Sequence, residues 1–160
     1  MKLVHYKNDT SVLFISGMFA GSWIWDRTYK HITNNHKIMI QEPLCALNNS
    51  VDKLTAEIVS YLENLTSPVT IVGNSLGSLI GLNVARNLPS KVEQVLISGS
   101  AGFGKVNLDI RLSRNESENI ARHLMGLICH DQKMVSEKDI LQTAESFNQN
   151  LRNIVGLIRD

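Results

Sequence analysis

The pentapeptide Gly73-Asn74-Ser75-Leu76-Gly77 constrains this chain more than any other stretch. It lies between a strand-like run, Pro68-Val69-Thr70-Ile71-Val72, and a helix-like run from Leu76 to Asn87 that Leu88-Pro89 stops. A Gly-x-Ser-x-Gly in that context predicts a tight strand-to-helix turn whose strained backbone lifts the serine hydroxyl above the sheet. Gly73 and Gly77 stand where strand and helix pass closest, so they need side chains no larger than hydrogen. The pattern makes Ser75 the candidate nucleophile. A Gly/Ser turn without chemistry is the alternative, and the flanking strand and helix weigh against it.

The remaining sequence supplies a matching frame. Short apolar runs of strand length occur at Val12 to Ile15, Ile38 to Ile40, Val69 to Val72 and Val92 to Ile97, and they read as buried parallel strands. Between them, Val51, Leu54, Ile58, Tyr61, Leu62 and Leu65 fall on one face of a helix. Alternating strands and helices predict an α/β fold, a mainly parallel sheet covered by helices. The pattern changes after Gly99-Ser100-Ala101-Gly102-Phe103-Gly104, beyond which two amphipathic helices are expected. The first carries a capping-box signature, Ser113 with Glu116, and a stripe of Ile120, Leu124, Leu127 and Ile128. The second starts near Ser136 and runs through Ile140, Leu141, Ala144, Phe147, Leu151, Ile154, Val155 and Ile158. Residues 1–104 are accordingly expected to form the core unit and 105–160 a charged, amphipathic helical layer.

On these motifs the chain resembles the α/β-hydrolase family over nearly its whole length. The resemblance implies that the layer 105–160 is a helical cap. Members carry His-Gly after an early strand and then a small loop and a Trp-rich helix start; here the run is Phe14-Ile15-Ser16-Gly17-Met18-Phe19-Ala20-Gly21-Ser22-Trp23, with Ser16 in place of the histidine. The resemblance implies an oxyanion hole made by the backbone N–H groups of Met18 and Leu76, with Gly17 as a motif glycine. Such donors are typically worth ~3 kcal/mol each of transition-state stabilisation. It also implies a serine hydrolase acting on an ester, thioester or related acyl substrate through a covalent acyl-enzyme on Ser75, without metal or cofactor. Asn74 is similar to the Gly-Asn-Ser variant of carbon-carbon bond hydrolases and assorted esterases. Phe19, Asn74, Leu124 and Phe147 are candidate pocket residues, alongside Met125 and Leu127, although core packing is the commoner fate of such stripes.

A serine needs a histidine to take its proton and a carboxylate to hold that imidazole. In this fold the order is Ser, acid, His. The resemblance places both after further strands. His123 and His130 in the expected cap read as surface or packing residues, as do Asp109, Asp131 and Asp139. Three explanations fit: a fragment of a longer enzyme, a chain completed by another polypeptide, or a shortened relative that has lost hydrolysis and serves as a binding protein. The first two are favoured, because a sheet stopping at its sixth family strand leaves an unpaired edge and an uncovered apolar face. The expected partner is a complementing C-terminal segment or second chain, or a further copy in a homo-oligomer.

Sixteen basic against fifteen acidic residues give no electrostatic case for nucleic acid or an anionic membrane. Cys45 and Cys129 match no zinc or redox spacing and read as free thiols of a reducing compartment. With no leader-like apolar run before Asp9 and no membrane-length stretch, a cytoplasmic protein is expected. One rival from another class is a phosphate loop at Gly99 to Lys105, which follows a strand but has Val106 where a hydroxyl should bind Mg²⁺. Mg-ATP is therefore expected to leave the melting temperature unchanged; a rise abolished by Lys105→Ala would favour the nucleotide reading.

Overall fold

Leu13, Ile15, Val69 and Ile71 are aliphatic residues at alternate positions along two neighbouring strands, and all four are fully buried. Around them the computed structural model describes residues 3–5, 10–32, 36–40, 42–104 and 113–159. The strands are β1 (Leu3–His5), β2 (Thr10–Ile15), β3 (His36–Ile40), β4 (Val69–Asn74) and β5 (Val92–Ser98). They form one sheet in the order β1-β3-β2-β4-β5, with β1 antiparallel to β3 and every other pairing parallel. The expected α/β class is found. Strand β1 was not anticipated, because three residues are too few to show a periodicity.

The helices are α1 (Leu44–Leu47), α2 (Val51–Glu63), α3 (Leu76–Asn87), α4 (Ser117–Ile128) and α5 (Glu137–Arg159). The apolar stripe of α2 faces the sheet: Leu54, Ile58 and Leu62 are buried, while Val51, Tyr61 and Leu65 pack on the same cluster. Helix α3 crosses β4 closely, and Gly81 makes this possible, since a Cβ there would lie 2.9 Å from Ile71 Cγ2. No helix among the described residues is long and apolar enough to cross a membrane.

Two expectations need correction. Strand β5 is not buried: among the described residues it pairs with β4 alone, and Leu96 and Ile97 are each 47% exposed. Edge position, rather than composition, decides this exposure. The capping box is also misplaced. Ser113 precedes a 3-10 turn, Arg114–Glu116, and its side chain caps nothing. The reciprocal box opens α5 instead: the Ser136 N–H donates to Asp139 Oδ2 at 2.9 Å and the Asp139 N–H to Ser136 Oγ at 3.2 Å. Aspartate thus does at the third position what glutamate was expected to do near Ser113.

In α4, Ile120 and Leu124 turn inward, whereas Leu127 and Ile128, expected on the same stripe, are exposed. Helix α5 is broken at Asn150 (φ −119°, ψ 16°), whose Nδ2 donates to the Ser146 carbonyl at 2.8 Å. Beyond the break, Asn153 Nδ2 donates to the Cys45 carbonyl at 2.7 Å and ties the last turns of α5 to α1. Cys45 is fully buried, its thiol pushed up to about 11 by burial. Ile120, Leu124, Phe147, Ile154 and Leu157 belong to the same hydrophobic cluster as Leu13, Ile15 and Ile71. Phe147→Ala is expected to cost the whole structure about 3–5 kcal/mol in denaturant unfolding, the usual range for deleting a buried aromatic ring. A loss under about 1 kcal/mol would show that α5 is not part of the common core.

Candidate active site

Strand β4 ends at Asn74 and α3 begins at Leu76, so a single residue, Ser75, makes the whole turn. Its φ of +52° with ψ −119° makes it the one non-glycine with positive φ among the described residues. Such a conformation costs of order 1–3 kcal/mol and persists only where its surroundings over-determine it. Here they do. The Ser75 N–H donates to the Ser98 carbonyl at 2.9 Å, and the Ser75 carbonyl accepts from the N–H groups of Ser78 at 3.0 Å and Ala101 at 3.2 Å. The buried Ser78 hydroxyl donates to the Gly73 carbonyl at 2.8 Å and accepts from the Ser98 N–H at 3.3 Å, stapling β4 to β5. Nothing in the sequence pattern marked Ser78, although a small polar residue three past the nucleophile, inside a helix on the sheet, is where a staple could have been sought.

The two motif glycines are set by space. A Cβ on Gly73 would lie 2.6 Å from Ser78 Cα, and one on Gly77 would run into the Ile15 carbonyl. Gly17 closes the other side, since a Cβ there would come within 3.2 Å of Ser75 Cβ and 3.1 Å of Asn74 Oδ1. Ser16, in the position of the family's histidine, is fully buried. Its hydroxyl donates to the Gly21 carbonyl at 2.8 Å and accepts from Trp25 Nε1 at 3.1 Å, fixing the loop that carries Met18.

Met18, Ser75 and Leu76 line one cavity of about 380 Å³. Leu76 is the first residue of α3, where helix geometry leaves the backbone N–H without an intrahelical acceptor. Val51 and Asp52 of α2, Leu79 of α3, Ala101, and Leu157 and Ile158 of α5 complete the wall. Sequence reasoning did not select Asp52, Leu79 or Leu157. Of the expected pocket residues, Leu124 and Phe147 lie in the core instead, and Phe147 packs on Phe19 with ring centroids 6.2 Å apart. Neither they nor Phe19 nor half-buried Asn74 lines the cavity.

The described histidines and acids beyond Ser75 stand elsewhere. His123 and His130 are exposed. Asp131 accepts from the Lys133 N–H at 3.0 Å at the start of a 3-10 turn, and Asp139 belongs to the α5 box. Asp109, Lys105 and Val106 lie outside the described residues. The rest of the supposed phosphate loop serves the elbow, for the Ala101 N–H is spent on the Ser75 carbonyl.

No family model matches the sequence, and no curated protein matches it. Solved structures do. An N-acyl homoserine lactone degrading enzyme is 18% identical with a TM-score of 0.72 over 98% of this chain and 66% of its own. A lipase-esterase related protein from Clostridium acetobutylicum is 18% identical, TM-score 0.72, over 98% of this chain and 70% of its own. A serine hydrolase involved in carbazole degradation is 17% identical, TM-score 0.73, over 98% and 64%. The chain thus spans about two thirds of the length of these proteins, and identities this low bear on the fold alone. For the site itself, Ser16→Ala should cost about 1–3 kcal/mol in denaturant unfolding, because it strands the Trp25 indole N–H and the Gly21 carbonyl. An unchanged midpoint would show that the hydroxyl does not hold the loop.

Proposed function

From the α/β-hydrolase fold that this chain adopts, we propose that it is the nucleophile-bearing part of a serine hydrolase acting on an ester, thioester or related acyl substrate. The observation that carries the reading is the Ser75 backbone, held at positive φ between two glycines that no larger residue could replace. A plain turn would place glycine at such a φ, whereas here a serine holds it and lines a cavity. In the proposed reaction Ser75 Oγ attacks the acyl carbon as a general base takes its proton. The Met18 and Leu76 N–H groups receive the oxyanion, the leaving group departs with the proton, and water then cleaves the acyl-enzyme. The structural neighbours, hydrolases of varied chemistry, support a hydrolytic role in general and do not choose among these substrates.

The base and its orienting acid are proposed to come from polypeptide outside these 160 residues, either continuous with it or a second chain, adding a strand beside β5. Two observations support this. Among the described residues, strand β5 has a free edge with half-exposed Leu96 and Ile97, and no histidine lines the Ser75 cavity. The second of these also favours the competing reading, a binding protein that keeps the pocket without the triad. A serine-directed fluorophosphonate separates the two. The complete assembly is expected to gain one adduct, mapped to Ser75 by peptide mass and absent from Ser75→Ala. No labelling of the complete assembly, or labelling unchanged in Ser75→Ala, would refute the hydrolase.

A further inference from the structure

We propose that Asp52 makes the Ser75 cavity selective for acyl compounds that carry a cationic nitrogen, an ammonium or quaternary ammonium group, away from the scissile carbonyl. The proposal rests on the reading of Ser75 as the acyl-accepting residue. The cavity is apolar over most of its wall, with Met18, Val51, Leu79 and Leu157 contributing, and Asp52 is the one charged residue lining it among the described residues. Asp52 has no visible structural employment. It lies in the first turn of α2, a helix whose Ser50 cap makes no side-chain hydrogen bond. Its own carboxylate carries no hydrogen bond or ion pair among the described residues. An acid at this position is favoured by the helix dipole, but the dipole alone does not require it to stand over the nucleophile's pocket.

A carboxylate beside an apolar wall sets a simple selection rule. Anionic acyl groups are repelled, neutral ones are bound by area alone, and a cation joined to an apolar linker satisfies both surfaces at once. Asp52 lines the cavity yet is exposed to solvent, so the attraction is that of a partly solvated pair, about fivefold in affinity and weakened by salt.

Binding of a choline ester, butyrylcholine, and of its uncharged carbon isostere, 3,3-dimethylbutyl butyrate, to the full chain carrying Ser75→Ala tests this by calorimetry. The alanine keeps both esters intact, so the result is independent of turnover. The cationic ester is expected to bind about fivefold more tightly. That preference should vanish with Asp52→Asn, persist with Asp52→Glu and shrink in high salt. Equal affinities, no measurable binding of either ester, or a preference surviving Asp52→Asn would overturn the proposal. Fluorophosphonate labelling of Ser75 without a cation preference would sink the assignment of Asp52 and leave the hydrolase standing; a cation preference without labelling would refute the hydrolase and leave Asp52 a cation-binding group alone.

Discussion

A serine resists a left-handed backbone, and around Ser75 that resistance is met by hydrogen bonds drawn from three elements. Its N–H is held by the end of β5, its carbonyl by the loop after β5 and the first turn of α3, while Gly17 from the end of β2 leaves room for its Cβ. Each partner is in place only because β2, β4 and β5 lie side by side in register, Gly73 opposite both Ile15 and Ile97. The elbow is therefore a reporter of the sheet's parallel order. Its strain is tolerable because the strands beneath it, with fully buried Leu13, Ile15 and Ile71, cannot relax without opening the core.

The same register explains how much of the molecule was legible in its sequence. Four of the strands and the helices flanking them announced themselves because burial repeats at the period of the element, as with Leu54, Ile58 and Leu62 in α2. Ser75 was legible because only one local geometry suits glycine two residues to either side of a serine. What failed was whatever depends on the third dimension. The exposure of Leu96 and Ile97 follows from which strand lies beside β5, and the inward turn of Leu124 against the outward turn of Leu127 follows from where α5 sits. Composition carries neither fact. The pocket suffered most, since its walls come from α2, α3 and α5 and no periodicity in one helix reveals which residues face another's cavity.

Several polar side chains in and around this core hold main-chain groups in place. Ser78 joins the C-terminal ends of β4 and β5, Ser16 secures the loop after β2, and Asn153 binds the carbonyl of Cys45. A buried hydroxyl or amide that satisfies a main-chain group stabilises the fold by about 1 kcal/mol and, more to the point, makes its removal costlier than that. The contacts of Ser78 and Ser16 lie at the C-terminal ends of the parallel strands. In such sheets the crevice beyond those ends is where ligands bind, so local rigidity is concentrated where a reacting group would need to be held.

The break at Asn150 divides α5 between two tasks, although both halves reach the common core. Its first half carries Ile140, Ala144 and Phe147 into the core, and its last turns carry Leu157 and Ile158 to the cavity wall. An unbroken helix would lock those two faces to one another at 100° per residue, so that any change of pocket shape would be felt in the core. A helix divided at one asparagine relaxes that lock in part. Ile154 and Leu157 still hold the second half to the common core, so the pocket wall can be recut at least expense to folding at exposed Ile158.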